Sequence, residues 1–230
     1  MTCNLIIDIL LNTMGIIIMK YTAIILLLLC SCASSSRQPW PDGEIPFIIV
    51  GFSPDESATI IKSMATWQIL TNNAVKFIPD YQYHGDTNPL WIMCADDNSS
   101  AAGVSVGAGY DPDAINATML SKVDAFSVGH ELGHVLGLQH EFIRPDRDAY
   151  ITITIDPYVP LLHVWQFVPA VPVFYKFNKY PFDYQSIMMY GEYPADGITI
   201  DGKGHDLSGD TPTWVDAWKV RDIYGEPAGL

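Results

Sequence analysis

Apolar positions recur along this chain in two rhythms, and each predicts a different kind of element. Residues 45–52 form a short apolar run bounded by Pro41-Asp42-Gly43 and Ser53-Pro54, which suits a buried strand. The rhythm then becomes helical. Ile60, Ile61, Met64 and Trp67 follow intervals of three and four, and the face they form is expected to pack on a sheet. Ser53, with Glu56 three residues later and Pro54 at the first helical position, marks where that helix opens, because the hydroxyl and the carboxylate can each satisfy a free backbone amide of the other's residue. Residues 75–79, 90–94 and 104–108 read as further short strands, and a second helix is expected over about 120–136. Beyond residue 141 periodicity fades among Pro, Gly, Tyr and Asp, and only 214–224 regains a helical pattern. No internal repeat interrupts this order, so residues from Trp40 onward read as one globular unit.

The N-terminal pattern is of another kind. Lys20 precedes an apolar run that ends in Leu29-Cys30-Ser31-Cys32, the arrangement of an export signal. These four residues resemble the lipobox of bacterial lipoproteins, in which cleavage before a cysteine leaves its thiol to carry diacylglycerol, and Cys32 is the candidate. A plainly cleaved signal and a membrane anchor over residues 16–29 stand beside that reading, although the anchor would be short for a span and would carry Lys20 inside it. Residues 1–18 show no organised pattern, which favours Met19 as the start of translation. The expected organisation is a signal over 1–31, a Ser-rich tether over 32–39 and a catalytic domain over 40–230, exported from the cell and held at its envelope or secreted.

Composition narrows the classes. With 49% hydrophobic residues in 230 the chain can bury a real core. Twelve Lys and Arg against 26 Asp and Glu, a net charge of −14, exclude a general affinity for nucleic acid, which needs clustered cations. The same surface repels anionic headgroups, so membrane attachment must come from the N-terminal lipid or anchor. Of four cysteines only Cys32 and Cys94 follow residue 31, and acylation of Cys32 would leave no disulfide within the domain. Cys94, in the apolar run Leu90-Trp91-Ile92-Met93-Cys94, reads as a core residue.

The candidate chemistry lies in His130-Glu131-Leu132-Gly133-His134-Val135-Leu136-Gly137-Leu138-Gln139-His140-Glu141. Positions four apart on a helix lie one turn above each other, so His130 and His134 present both imidazoles to one side. Gly137 has the backbone freedom to leave the helix, which lets His140 turn back as a third zinc ligand. Three neutral protein ligands leave a coordination position open, as a catalytic zinc requires and a structural one does not. Glu131 is placed to take a proton from water there. His84, His163 and His205 lack partners at ligand spacing and read as solvated or local hydrogen-bonding groups.

This extended signature resembles that of the metzincin clan, and Glu141 directly after the third histidine is characteristic of the astacin family. Further pieces resemble that family in order: Trp40-Pro41-Asp42-Gly43-Glu44-Ile45-Pro46-Phe47, Arg144-Pro145-Asp146-Arg147-Asp148-Ala149-Tyr150, the Met-turn Phe182-Asp183-Tyr184-Gln185-Ser186-Ile187-Met188-Met189-Tyr190-Gly191, and a final helix from Asp216 to Tyr224. The resemblance implies an α+β, zincin-like fold. A twisted mixed sheet and two helices would form the N-terminal half, and an irregular half would carry the Met-turn and last helix. It implies a zinc endopeptidase acting on peptide or protein substrates, with Met188 as an apolar floor under one Zn2+ and Tyr190 as a further ligand or oxyanion donor.

The chain departs from the family in four places. Fewer than ten residues separate Cys32 from Trp40, so the family's zinc-blocking propeptide is expected to be absent. Family members bury a mature N-terminal amine against the glutamate that follows the third histidine. An acylated Cys32 could not enter, so Glu141 must find another cation or water, unless a further cleavage occurs. The two disulfides typical of animal members cannot form, which suggests a bacterial or viral branch. Met189 stands where the family has histidine, a change expected to be tolerated. Two readings of other classes stay open: an inactive zinc-containing surface lipoprotein that binds a peptide or cell-wall component, and a structural zinc protein. The latter would need a fourth protein ligand.

Overall fold

The computed structural model describes residues 37–95, 103–105, 109–192, 194–195, 197–207 and 209–225. The chain divides into the units Met1–Ser36 and Arg37–Leu230. The export segment, Cys32 and the tether as far as residue 36 lie outside the described residues. Among the described residues no helix is long and apolar enough to cross a membrane.

The apolar run that follows Pro41-Asp42-Gly43 forms strand β1 (Glu44–Val50), and the Ser53 capping box opens helix α1 (Pro54–Leu70) as its residues predict. Ser53 accepts the amide of Glu56, whose carboxylate accepts the amide of Ser53 at 2.8 Å. β2 (Lys76–Pro79), β3 (Leu90–Cys94), β4 (Gly103–Ser105) and β5 (Asn116–Leu120) complete a five-stranded sheet of order β2-β1-β3-β5-β4. Its first four strands run parallel and β4 closes the edge antiparallel to β5. Helix α2 (Ala125–Val135) carries His130 and His134 and packs against α1, where the Trp67 indole donates to the Gly129 carbonyl at 3.1 Å.

Three expectations about this half need correction. Ile60, Met64 and Trp67 are buried, but Ile61 is 52% exposed, because it lies a third of a turn from Ile60 and falls at the edge of the apolar stripe. The second helix starts at Ala125 and not near residue 120: Asn116–Leu120 is an unpredicted strand, and Asp124 caps the helix by accepting the Ser127 amide at 2.8 Å. Cys94 shares the side of Leu90 and Ile92, yet it is exposed, because it occupies the last position of β3. Strand parity sets the side a residue faces, and only position along the strand sets whether a neighbouring layer covers it.

The C-terminal half is more ordered than expected. β6 (Thr152–Ile155) and β7 (Ile198–Asp201) pair antiparallel, although about 40 residues lie between them. Their inward isoleucines join Phe142, Phe167, Phe182 and Met189 in a second apolar cluster beside the main core. Met189 is fully buried there, which accounts for a methionine at this position. Helix α3 (Trp214–Tyr224) has the predicted bounds and returns to the first half, with Val215 and Val220 in the main core.

Candidate metal centre

Local chemistry brings the three histidines together. α2 ends in a Schellman turn: Gly137, at φ +97°, donates its amide to His134 and Leu138 donates to Gly133, both at 2.9 Å. This left-handed residue reverses the chain so that residues 138–140 return past the last turn of the helix. Gly133 serves a different need. A Cβ there would lie 2.4 Å from the Met188 sulfur, so only glycine lets the Met-turn press against α2 between its two histidines.

The orientation of each imidazole is set from behind. His130 Nδ1 lies 2.7 Å from the Ile187 carbonyl and His134 Nδ1 lies 2.9 Å from the Leu138 carbonyl. A carbonyl only accepts, so both Nδ1 atoms hold the proton and both Nε2 lone pairs face the opposite way. They face one point. The Nε2 atoms of His130 and His134 each stand 3.1 Å from Nε2 of His140. The His130 and His134 lone pairs so disposed call for a cation, or the Nε2 proton of His140, between the rings, and three nitrogens around zinc at roughly 2.0–2.1 Å would stand roughly 3.3 Å apart. The donor set fits zinc. Burial pushes the His130 pKa down to about 3, helped by the neighbouring His134, and the pKa values of His134 and His140 fall as well, again through burial first. All three are held in the neutral form that a metal takes.

The remaining predicted residues gather around this point. Glu131 is 7% exposed on α2. The Tyr190 ring lies 4.7 Å from His140 and 5.6 Å from His130, between centroids. Its phenol pKa is pushed up to about 12, by burial and then by the charge of Glu131, so the hydroxyl remains a proton donor at neutral pH. Met188 is fully buried against Gly133. Cys32 alone of the predicted residues lies outside the described residues. His84, His163 and His205 are exposed and apart from this group, and the His205 ring stacks on Tyr184 at 4.1 Å. Among the described residues His130, His134 and His140 form the one cluster able to hold a metal.

Glu141 finds its cations inside the domain. It is fully buried, accepting Arg144 Nη1 at 2.9 Å and the Asp183 amide at 3.0 Å on one oxygen, and Lys219 Nζ at 2.6 Å on the other. Asp216, equally buried, accepts the Ser186 hydroxyl at 2.6 Å and the Ile187 amide at 3.0 Å, and so fixes the Met-turn. Sequence reasoning missed Lys219 as a partner of the site. Its signal was present: Lys219 stands four residues after Val215 and three after Asp216, on the helix face that these residues share.

Comparison with known proteins agrees with this geometry. The family model Astacin, which describes a peptidase family, matches residues 32–201. Zinc metalloproteinase nas-4 of Caenorhabditis elegans is 31% identical over 205 residues, covering 82% of this chain and 59% of that protein. Bone morphogenetic protein 1 of Xenopus laevis is 30% identical over 211 residues, covering 85% and 28%. This chain therefore spans less than two thirds of the length of either relative. Among solved structures, High choriolytic enzyme 1, a hatching enzyme zinc-protease from Oryzias latipes, shares the fold with a TM-score of 0.60 at 24% identity, over 84% of this chain and 96% of that one. Myroilysin shares it at 0.55 and 19%, over 84% and 97%. The family match covers the histidine helix, the returning third histidine and the Met-turn beneath them, and this chain belongs to the astacin family of peptidases.

Proposed function

We propose that this chain is an exported zinc endopeptidase in which Glu131 is the general base and Tyr190 the oxyanion donor. The observation that carries this reading is the convergence of three neutral histidine nitrogens on one point, with a buried carboxylate and a phenol beside them. Zinc, when bound by His130, His134 and His140, supplies Lewis acidity that acidifies water and polarises a peptide carbonyl. Glu131 takes the proton of the attacking water and passes it to the leaving amine. Tyr190, kept protonated by its surroundings, donates to the carbonyl oxygen as negative charge grows on it. Met188, held under the helix by Gly133, keeps the floor of the site apolar. The substrate is an extended peptide that pairs with the sheet edge at β4, whose outer backbone groups are suited to strand addition.

Removing only the phenol oxygen separates chemistry from binding. Tyr190→Phe is expected to lower kcat on the order of 10²-fold while KM and zinc content stay near the parent values. A variant with undiminished kcat would remove Tyr190 from the chemical step. The attachment of the chain is tested separately. A diacylglyceryl thioether on Cys32, with cleavage before it, is the expected finding by mass spectrometry of the N-terminal peptide of the exported protein. An unmodified N-terminus beyond residue 32 would replace the lipid with simple secretion.

A further inference from the structure

Charge is scarce in the interior of this domain and concentrates behind the histidines. Glu141 and Asp216 are both fully buried, and Lys219 is 1% exposed between them, with Nζ at 2.6 Å from Glu141 and 4.0 Å from Asp216 Oδ1. Arg144 also touches Glu141, but two of its nitrogens are bound to Asp146, at 2.9 and 2.8 Å, so much of its charge is answered there. Without Lys219, Glu141 would keep only Arg144 as a cation, and Asp216 would keep no cation within 4.0 Å among the described residues. Burial alone would drive the lysine towards neutrality. Glu141 first and Asp216 second outweigh it and keep the ammonium charged.

Each of those carboxylates leads to a different histidine. Asp216 holds the Ile187 amide, and the Ile187 carbonyl in turn receives the Nδ1 proton of His130 at 2.7 Å. Glu141 follows His140 directly, and its own amide donates to the Met188 carbonyl at 2.9 Å. The last helix therefore reaches two of the three histidines, His130 through Asp216 itself and His140 through the ammonium of Lys219 on Glu141, and Lys219 lies between the two carboxylates.

The geometry points to Lys219 as a positioning residue of the metal centre, its charge holding Glu141 and Asp216 together so that His140 and His130 keep their aim. This rests on the zinc reading above and goes beyond it. Among the described residues, the hydrogen bonds on the Glu141 carboxylate all come from residues 144–219, two of them from cations. A cation from the segment before Arg37 is not needed to set this carboxylate.

The test uses the full chain and three variants, Lys219→Met, Glu141→Gln and both together. Zinc affinity is measured by competition with a chromogenic chelator, and the visible spectrum of the cobalt-loaded protein reports ligand geometry. Lys219→Met is expected to weaken zinc binding roughly 10–100-fold, as loss of groups that orient ligands does, and to shift the cobalt bands. Glu141→Gln in the same chain should recover most of that loss, because no uncompensated carboxylate then remains next to His140. Losses that simply add would reduce Lys219 to a packing residue and overturn the inference. So would a folded Lys219→Met chain with parental affinity and spectrum. If Lys219→Met does not fold, Lys219→Gln, which keeps a donor for Glu141, carries the same comparison. A parent chain that binds no zinc would sink the metal reading itself, whereas a parent that binds zinc no better than Lys219→Met sinks only this inference.

Discussion

Glu131→Gln is expected to yield a folded, zinc-loaded protein whose peptide hydrolysis has fallen on the order of 10³-fold. The substitution is nearly isosteric, and Glu131 is not among the nitrogens that converge on the metal point, so neither fold nor zinc content should change. What is lost is a base at neutral pH, and positioned proton transfer is worth roughly 10²–10⁴-fold. A second consequence follows from Tyr190. Burial raises its pKa first and the Glu131 charge adds to that, so removing the charge should let the phenol ionise at lower pH. The shift is readable as tyrosinate absorbance on alkaline titration of the variant. Hydrolysis within about tenfold of the parent would remove Glu131 from the mechanism and reopen the reading of this fold as a peptide-binding module.

His140→Ala should have the opposite profile, with zinc lost and the metal-free chain no weaker. His140 places its Nε2 at 3.1 Å from both other nitrogens, and burial disfavours the charged form of all three rings. In the metal-free protein that crowding is unfavourable, and the alanine variant relieves it. Thermal melts in chelator are therefore expected to show the variant at or above the parent. With zinc present the order reverses. At a free zinc concentration about 1,000 times its Kd the parent gains roughly 4 kcal/mol, whereas a variant bound 1,000-fold more weakly gains less than about 0.5 kcal/mol. A variant that keeps the zinc-dependent stabilisation of the parent would show that His140 is not a ligand.

The parts of this molecule legible in its sequence are those whose cause is local. The Ser53–Glu56 box, the bounds of α3 and the Gly137 turn depend on side chains within a few residues of one another, and each stands where the spacing puts it. The histidine spacing belongs to the same class, since His130 and His134 need only one helical turn and His140 only one reversal. Pairings between distant segments were not legible. β6 and β7 are four residues each, and their alternation of Thr and Ile acquires meaning only when the two meet across the intervening loop. Exposure of Ile61 and Cys94 depends likewise on where a neighbouring layer stops. The cation at Glu141 shows the limit most clearly. The sequence states that this buried carboxylate needs a partner, and Lys219 is present, but 78 residues separate them and only the fold brings them to 2.6 Å.

The most direct test of the zinc peptidase reading is to measure zinc content and cleavage of a mixed peptide library by the exported chain, before chelation, after it, and after zinc is restored. One zinc per chain, with cleavage that disappears on chelation and returns with zinc, is the predicted result. Cleavage that persists without metal would contradict the account, and so would one tightly bound zinc in a chain that cuts nothing.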